Sequence, residues 1–494
     1  MLPEKLKLKD TYELYIDGKW QPSADHKTRT AWCPATGDAI AKFAEATKED
    51  VDKAVTAARK AFAGWSKTTA KQRAVILNKI ADIIDANKEE LALIESVDNG
   101  KPLRETMAID IPMSAAHFRY FAGVILAEEG SASILDNSFL SVILREPIGV
   151  VGQIVPWNFP FLMGAWKLAP VIAAGDCTVF KPSSATSLSI LRFAELIDGV
   201  LPPGVFNVIT GSGSKAGQWI LDHEGFDKLA FTGSTQVGQS VALAAAKRLI
   251  PATLELGGKS ANIYFDDCRL EQALDGAQLG ILFNQGQVCC AGSRIFVQES
   301  FYDEFVSKLI ERFNKIKVGL PWAEGVQMGS QINEEQLKKI LAYVDIAKAE
   351  GCRILCGGSK IGGELEQGAF MRPTLIESTN DKRVCREEIF GPVACVVRFK
   401  TEEEVIAMAN DSVYGLGGAV WTRDINKALR VATAVRTGRM WVNTYNQIPE
   451  GSPFGGYKQS GIGRETHKMI LNHYTQCKNI MINLSEAPSG FYPA

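Results

Sequence analysis

Histidine is scarce in this chain: five residues in 494, at positions 26, 117, 223, 467 and 473. A thiol hydrolase or protease needs a histidine base, and none of the five falls in any motif found below. Net charge also lacks a sign. The 54 Lys and Arg against 56 Asp and Glu leave a formal charge of -2, which argues against a polyanion such as nucleic acid as partner. No apolar run reaches the roughly 18 residues of a membrane span; the longest are broken by Gly, Pro or Lys. The first twenty residues are polar and mixed in charge, without the apolar core of a secretion signal. The ten cysteines form no paired C-x-x-C knuckles, so neither structural zinc nor a disulfide framework is expected. These absences predict a soluble protein of the reducing cytoplasm, without a metal, acting on a small molecule.

What is present is ample material for large cores, with 46% hydrophobic residues and a length that calls for two or three domains. Turn residues and short alternating runs over 12–34 predict a hairpin, and helical spacing predicts helices over 48–65, 71–97 and 109–126. Between 138 and 156 the texture turns to strand. Strands then alternate with helices: strand 177–180, helix 188–201, strand 204–210, helix 216–222, strand 228–231 and a helix to 248. That alternation predicts a parallel sheet covered by helices. A second α/β stretch follows Gly258, with strands near 261–265 and 293–298, so a domain boundary is placed at Gly257-Gly258. The tail 472–484 alternates again and suits pairing with 138–145 in a small separate sheet.

Four stretches carry chemistry. F-N-Q-G-Q-V-C-C-A-G-S-R at 283–294 sets Cys289 and Cys290 behind a turn; a thiolate there is a strong nucleophile, while buried thiols are more often inert packing. F-T-G-S-T-Q-V-G at 231–238 follows a strand and opens a helix, where glycines Gly233 and Gly238 and free amides suit a phosphate. Its G-x-x-x-x-G spacing is not the usual dinucleotide fingerprint, and an ordinary strand–helix turn reads equally well. Lys181-Pro182 stands at the carboxyl edge of the strand before it, where ribose is commonly held. Glu255, between two leucines, is either a buried general base or a carboxylate satisfied by the glycine turn behind it. Asn158, in P-W-N-F-P, is either an oxyanion donor or a structural amide in a Pro-bounded turn.

The motifs and their order resemble the aldehyde dehydrogenase superfamily over essentially the whole length: P-W-N-F-P, K-P-S, F-T-G-S-T-x-x-G, E-L-G-G-K-S, G-Q-x-C-x-A-x-x-R, E-E-I-F-G-P-V and P-F-G-G-Y-K-x-S-G-x-G-R-E. The resemblance implies a non-acylating, NAD(P)-dependent enzyme of α/β fold. A Rossmann-like cofactor domain would span 1–130 and 147–257, and an α/β catalytic domain 258–457. A small β oligomerisation sheet and tail would span 131–146 and 471–494, serving a homodimer or homotetramer. It implies Cys289 as nucleophile, Glu255 as the base that activates water, and Asn158 with the Cys289 amide as oxyanion donors. Lys167 and Glu465 would form a proton relay. Lys181 would hold the adenosine ribose, and Trp157, Gly233, Ser234 and Gly238 would surround the pyrophosphate. Glu388 would bind the nicotinamide ribose, with Phe390 against the ring. The CoA-dependent acylating type is disfavoured because Glu255 is present to activate water.

Two positions depart from common patterns. Where many NAD-preferring relatives have a glutamate three residues after the ribose lysine, this chain has Ser184, so tolerance of NADP beside NAD is expected. Phe159, Trp166, Phe283 and Phe454, with Met163 and Ile448, fall at pocket positions. Such a wall favours an uncharged aliphatic or aromatic aldehyde by desolvation. The alternative is betaine aldehyde, its cation held by the aromatic rings. Trp166 stands where semialdehyde-oxidising relatives can carry an arginine, so a substrate bearing a carboxylate is not expected.

Overall fold

Helix Lys48–Trp65 begins where predicted, because Thr47 accepts the Asp50 N–H and Asp50 returns a bond to the Thr47 N–H. The computed structural model describes residues 2–492; residues 1 and 493–494, at the ends of the two terminal segments above, lie outside it. The helical pattern over 71–97 is two helices, Ala70–Ala86 and Lys88–Asn99. Asn87 divides them, its amide donating to the Ile83 carbonyl at 2.8 Å. Apolar spacing continues across this break, so periodicity alone did not reveal it. The helix expected over 188–201 stops at Leu196, since left-handed Gly199 intervenes before Pro202 and Pro203. A π turn, Thr106–Asp110, leads into helix Ile111–Leu126.

The predicted parallel sheet has eight strands. Its centre runs Ala252–Glu255, Lys228–Thr232, Val150–Ile154, Cys177–Lys181 and Phe206–Val208, all parallel. The hairpin Leu14–Ile16 and Lys19–Gln21 adds to one edge, and Gly461–Ile462 pairs antiparallel with Ala252–Glu255 at the other. After Gly257-Gly258 the chain enters a seven-stranded sheet that includes Ala261–Tyr264, Arg294–Gln298 and Gly417–Trp421. Strand Thr475–Asn483 pairs antiparallel with Phe139–Pro147, and Ser131–Leu135 completes a three-stranded arm. Ten free cysteines are found, no cluster suited to a metal occurs among the described residues, and no helix there is long and apolar enough to cross a membrane.

Behind the central sheet the helices bury a knot of charge. Lys101 donates to both oxygens of Asp110 at 3.0 and 3.1 Å, and its ammonium lies 3.7 Å from the Phe159 ring centroid. Three more carboxylates accept backbone N–H groups: Glu95 from Phe161 (3.1 Å), Asp98 from Leu188 (3.0 Å) and Glu105 from Asn284 (2.9 Å). Each fixes a segment that the sheet does not reach. Lys101 is the cation that makes this burial tolerable. Lys101→Met is expected to cost about 3–5 kcal/mol in equilibrium unfolding, and Lys101→Met combined with Asp110→Leu to recover most of it.

Candidate active site

Chain order reverses at strand Val150–Ile154, which lies between Cys177–Lys181 and Lys228–Thr232. Beyond the carboxyl ends of strands at such a reversal the helices diverge and leave a crevice. Trp157 and Asn158 leave one strand here, and Gly233 and Ser234 leave its neighbour. Ser234 caps helix Thr235–Arg248, its hydroxyl accepting the Val237 N–H at 3.4 Å.

Cys289 arrives on a turn of unusual backbone. Asn284, Gln285 and Gly286 are left-handed in succession, at φ 47°, 56° and 72°. The strain is held by bonds on every side. Asn284 Nδ2 donates to the Asn158 carbonyl (2.7 Å) and the Gln287 carbonyl (3.2 Å), and Gln285 Nε2 to the Ser330 carbonyl (2.7 Å). A methyl group on Gly286 would lie 2.1 Å from the Gly391 carbonyl oxygen, so only glycine fits. Gly258 similarly lets the second sheet approach: its methyl would meet the Cys289 oxygen at 2.3 Å. Tyr445 Oη closes the turn with a 2.8 Å bond to the Cys290 carbonyl.

These constraints bring Cys289, Asn158 and Glu255 to one cavity of about 230 Å³. Asn158 Nδ2 gives one N–H to the Gln287 carbonyl at 2.9 Å, which leaves the other for the cavity. No acceptor among the described residues takes the Cys289 N–H. Two donors are thus available beside the half-buried thiol. The adjoining Cys290 thiol, loss of solvent, and the carboxyls of Glu388 and Glu255 push the Cys289 thiol well above its ordinary range. It needs a base nearby to become a thiolate.

Glu255 ends its strand fully desolvated, both oxygens without a partner. Burial and then the Glu465 charge raise its carboxyl well above the usual range, against the pull of Lys167 and Arg464. Lys167 and Glu465 form a fully buried ion pair outside the cavity wall. A carboxylate so placed binds a proton more strongly than one in water, which suits it to accept a proton from a thiol or from water.

The cavity continues past Trp157, Gly233 and Ser234 to Glu388 and Phe390. Glu388 accepts the Gly258 N–H at 2.9 Å. Phe390 has φ 60° and is held by Gln336 Nε2 on its carbonyl at 2.8 Å. Its ring meets Trp157 edge-on, centroids 5.2 Å apart. Lys181, Ser184 and Gly238 lie outside this cavity. Lys181 is buried, which lowers its ammonium to about 8, and it donates to the Pro182 carbonyl at 3.0 Å. Gly238 serves packing, since a methyl there would sit 2.3 Å from Leu256 Cδ2. At the other end Phe159 pairs with Phe283 (5.8 Å) and Trp166 with Phe454 (5.4 Å), and Met163 and Ile448 complete the wall.

Sequence reading missed Glu105 and Asn284, which fix the turn, and Asn446, Gln336 and Lys339, which line the cavity. Asn284 was inside a quoted motif; the others carry no local signal.

A family model described as "Aldehyde dehydrogenase family" matches residues 20–480. The chain belongs to the aldehyde dehydrogenase family. It is 48% identical to the acetaldehyde dehydrogenase of Pseudomonas aeruginosa over 98% of this chain and 97% of that one. A betaine aldehyde dehydrogenase of Staphylococcus aureus, solved with NAD+, superposes with a TM-score of 0.96 at 42% identity, covering 98% and 97% of the two chains. The NAD+ complex of an aldehyde dehydrogenase from Bacillus cereus gives a TM-score of 0.95 at 39% identity, covering 97% and 100%. The α/β architecture expected from sequence is that of these structures.

Burial raises Glu105 to about 7, against the opposing charges of Arg104 and Lys101. The folded state therefore holds this proton more tightly than the unfolded chain, and its stabilising effect is lost as pH rises through about 7. Glu105→Gln retains an acceptor for the Asn284 N–H. It is expected to raise the unfolding temperature at pH 8, with the gain shrinking to nothing below the ordinary glutamate range.

Proposed function

We propose that this aldehyde dehydrogenase oxidises an apolar aliphatic or aromatic aldehyde to the carboxylic acid with NAD+ or NADP+, through a covalent intermediate on Cys289. The observation that carries this is the meeting of Cys289, Asn158 and Glu255 in one apolar-walled cavity. Glu255 takes the Cys289 proton, directly or through water, and the thiolate attacks the aldehyde carbon. Asn158 Nδ2 and the Cys289 N–H hold the resulting oxyanion of the thiohemiacetal. The nicotinamide cofactor, when bound, supplies the hydride acceptor. The thioester left on Cys289 is then cleaved by water that Glu255 deprotonates, and the acid departs.

The residues present fit such a cofactor. At the carboxyl edge of the sheet the Thr232 and Ser212 hydroxyls are buried without partners, an arrangement that calls for a polar ligand. Lys181 and Ser184 would take the adenosine ribose. Trp157, Gly233 and Ser234 would face the pyrophosphate, Glu388 the second ribose and Phe390 the ring, with Gly238 bracing the helix behind. Ser184 offers no charge against a 2′-phosphate, which supports use of NADP beside NAD. In this reading 1–130 with 147–257 bind the cofactor and 258–457 carry the catalytic loop. Segments 131–146 and 471–494 join copies into a homodimer or homotetramer, a role that fits the exposed Phe139, Ile143, Leu144, Ile480 and Met481 on the arm.

The aromatic wall also suits the quaternary ammonium of betaine aldehyde. Against it, the Phe159 ring already receives the Lys101 ammonium, so a second cation would meet a ring partly satisfied. Apolar aldehydes are the better fit.

Cys289→Ala is expected to abolish aldehyde-dependent reduction of nicotinamide while cofactor binding persists; retained oxidation would refute the nucleophile. Cys290→Ala is expected to keep turnover and move the acid limb of the pH–rate profile to lower pH, because it removes the leading influence that raises the Cys289 thiol. Kinetics with acetaldehyde, an aromatic aldehyde and betaine aldehyde test the substrate class. For the cofactor, an efficiency with NADP more than about a thousandfold below that with NAD, roughly 4 kcal/mol, would refute tolerance.

A further inference from the structure

Oxidation of an aldehyde to a carboxylate consumes one water, gives up one hydride and releases two protons. Glu255 is only 4% exposed, at the cavity wall, so those protons have little direct contact with bulk solvent. The strand pairing sets a group of polar side chains beside Glu255. Lys228, Ala230 and Thr232 alternate onto one face of their strand, and cross-strand partners bring Thr253, Glu255 and Gln153 to the same face. Helix Pro160–Ala174 covers it, with Gln153 Nε2 donating to the Lys167 carbonyl (2.9 Å) and to Tyr474 Oη (3.2 Å).

Buried polar atoms without a hydrogen-bond partner gather in this part of the molecule: both oxygens of Glu255, Thr253 Oγ1, Glu465 Oε2, Lys228 Nζ and Asp176 Oδ2. Ala230, at the midpoint of the strand between Lys228 and Thr232, is small and offers no polar partner to them. A run of buried unpaired groups of this kind is the signature of ordered water. Lys228 is the anomaly, a fully buried ammonium with no hydrogen-bond partner, 4.9 Å from the Tyr474 ring centroid.

We propose that Lys228 is a proton-relay residue, passing protons released at Glu255 through the Lys167–Glu465 pair and buried water to His473 at the surface. This rests on the reaction proposed above. Its surroundings suit the task. Lys167 faces it from the covering helix, Glu465 from the loop that closes the cavity, Asp176 from the turn after that helix, and His473 and Tyr474 from the short C-terminal helix. Burial, then the Lys167 charge, lower the Lys228 ammonium to about 7, against Glu465 and Asp176. At that value it takes and gives a proton with little bias. His473 is half-buried and close enough for the Lys228 charge to lower it further. One proton enters as Glu255 deprotonates thiol or water and one leaves to solvent, so the stripe returns to its starting state.

The test follows the acyl adduct on Cys289 by rapid quench and intact mass, in the full-length enzyme with cofactor. Lys228→Met removes an unpaired buried charge and is expected to leave thermal stability equal or higher. Adduct formation is expected within about twofold of the unmodified enzyme, and adduct decay at least about tenfold slower at pH 7, one pH-independent factor of ten being about 1.4 kcal/mol. Lys228→Arg keeps the charge yet cannot release a proton near neutrality, so it is expected to decay as slowly. The rise of decay rate through about pH 7 is expected to vanish in both. Unchanged decay in Lys228→Met, or restored decay in Lys228→Arg, would overturn the relay. If the unmodified enzyme forms no adduct at all, the reaction proposed above fails instead.

Discussion

The site depends on one backbone amide and one side chain: Asn284, whose N–H is held by Glu105 and whose amide holds Asn158 and Gln287. Asn158 belongs to the first sheet and Cys289 to the approach to the second. Their relative position is set by these bonds and not by either sheet alone. The left-handed turn at Asn284 would relax without them. Relaxation by about an ångström would separate the thiol from its oxyanion donors, and misplacement on that scale is costly to catalysis.

Desolvation does the remaining tuning. Glu255, Glu388, Glu105 and Glu95 are all raised by burial, and Lys181 and Lys228 are lowered by it. Glu105 and Glu95 rise to about 7, while Lys228 falls to about 7 and Lys181 to about 8. These four groups, charged throughout the neutral range in water, are brought to where they exchange protons near pH 7. The same dryness strengthens each hydrogen bond offered to a developing charge.

Much of this was legible in the sequence because the chemistry sits in short strings. The strand–helix alternation predicted the parallel sheet, and of the tail expected as strand over 472–484 the part Thr475–Asn483 pairs with Phe139–Pro147, while 472–474 close a short helix. The motif residues Cys289, Asn158, Glu255, Glu388 and Phe390 share one cavity. What escaped was everything defined by long-range contact. Glu105 has no local feature marking it, and its role depends on a partner 179 residues away. Asn87 breaks a helix without breaking its periodicity. Gly238 reads as a phosphate glycine, yet its tightest neighbour is Leu256.

The buried pair of Lys167 and Glu465 joins residues 298 apart in the chain. Because strand Gly461–Ile462 also pairs at the edge beside Glu255, this side of the site is not closed until the chain has been made past Glu465. During translation Cys289 is therefore made well before the residues that bury its acid–base partners. A chain made past Cys289 but short of Glu465 carries the thiol without the ion pair behind Glu255.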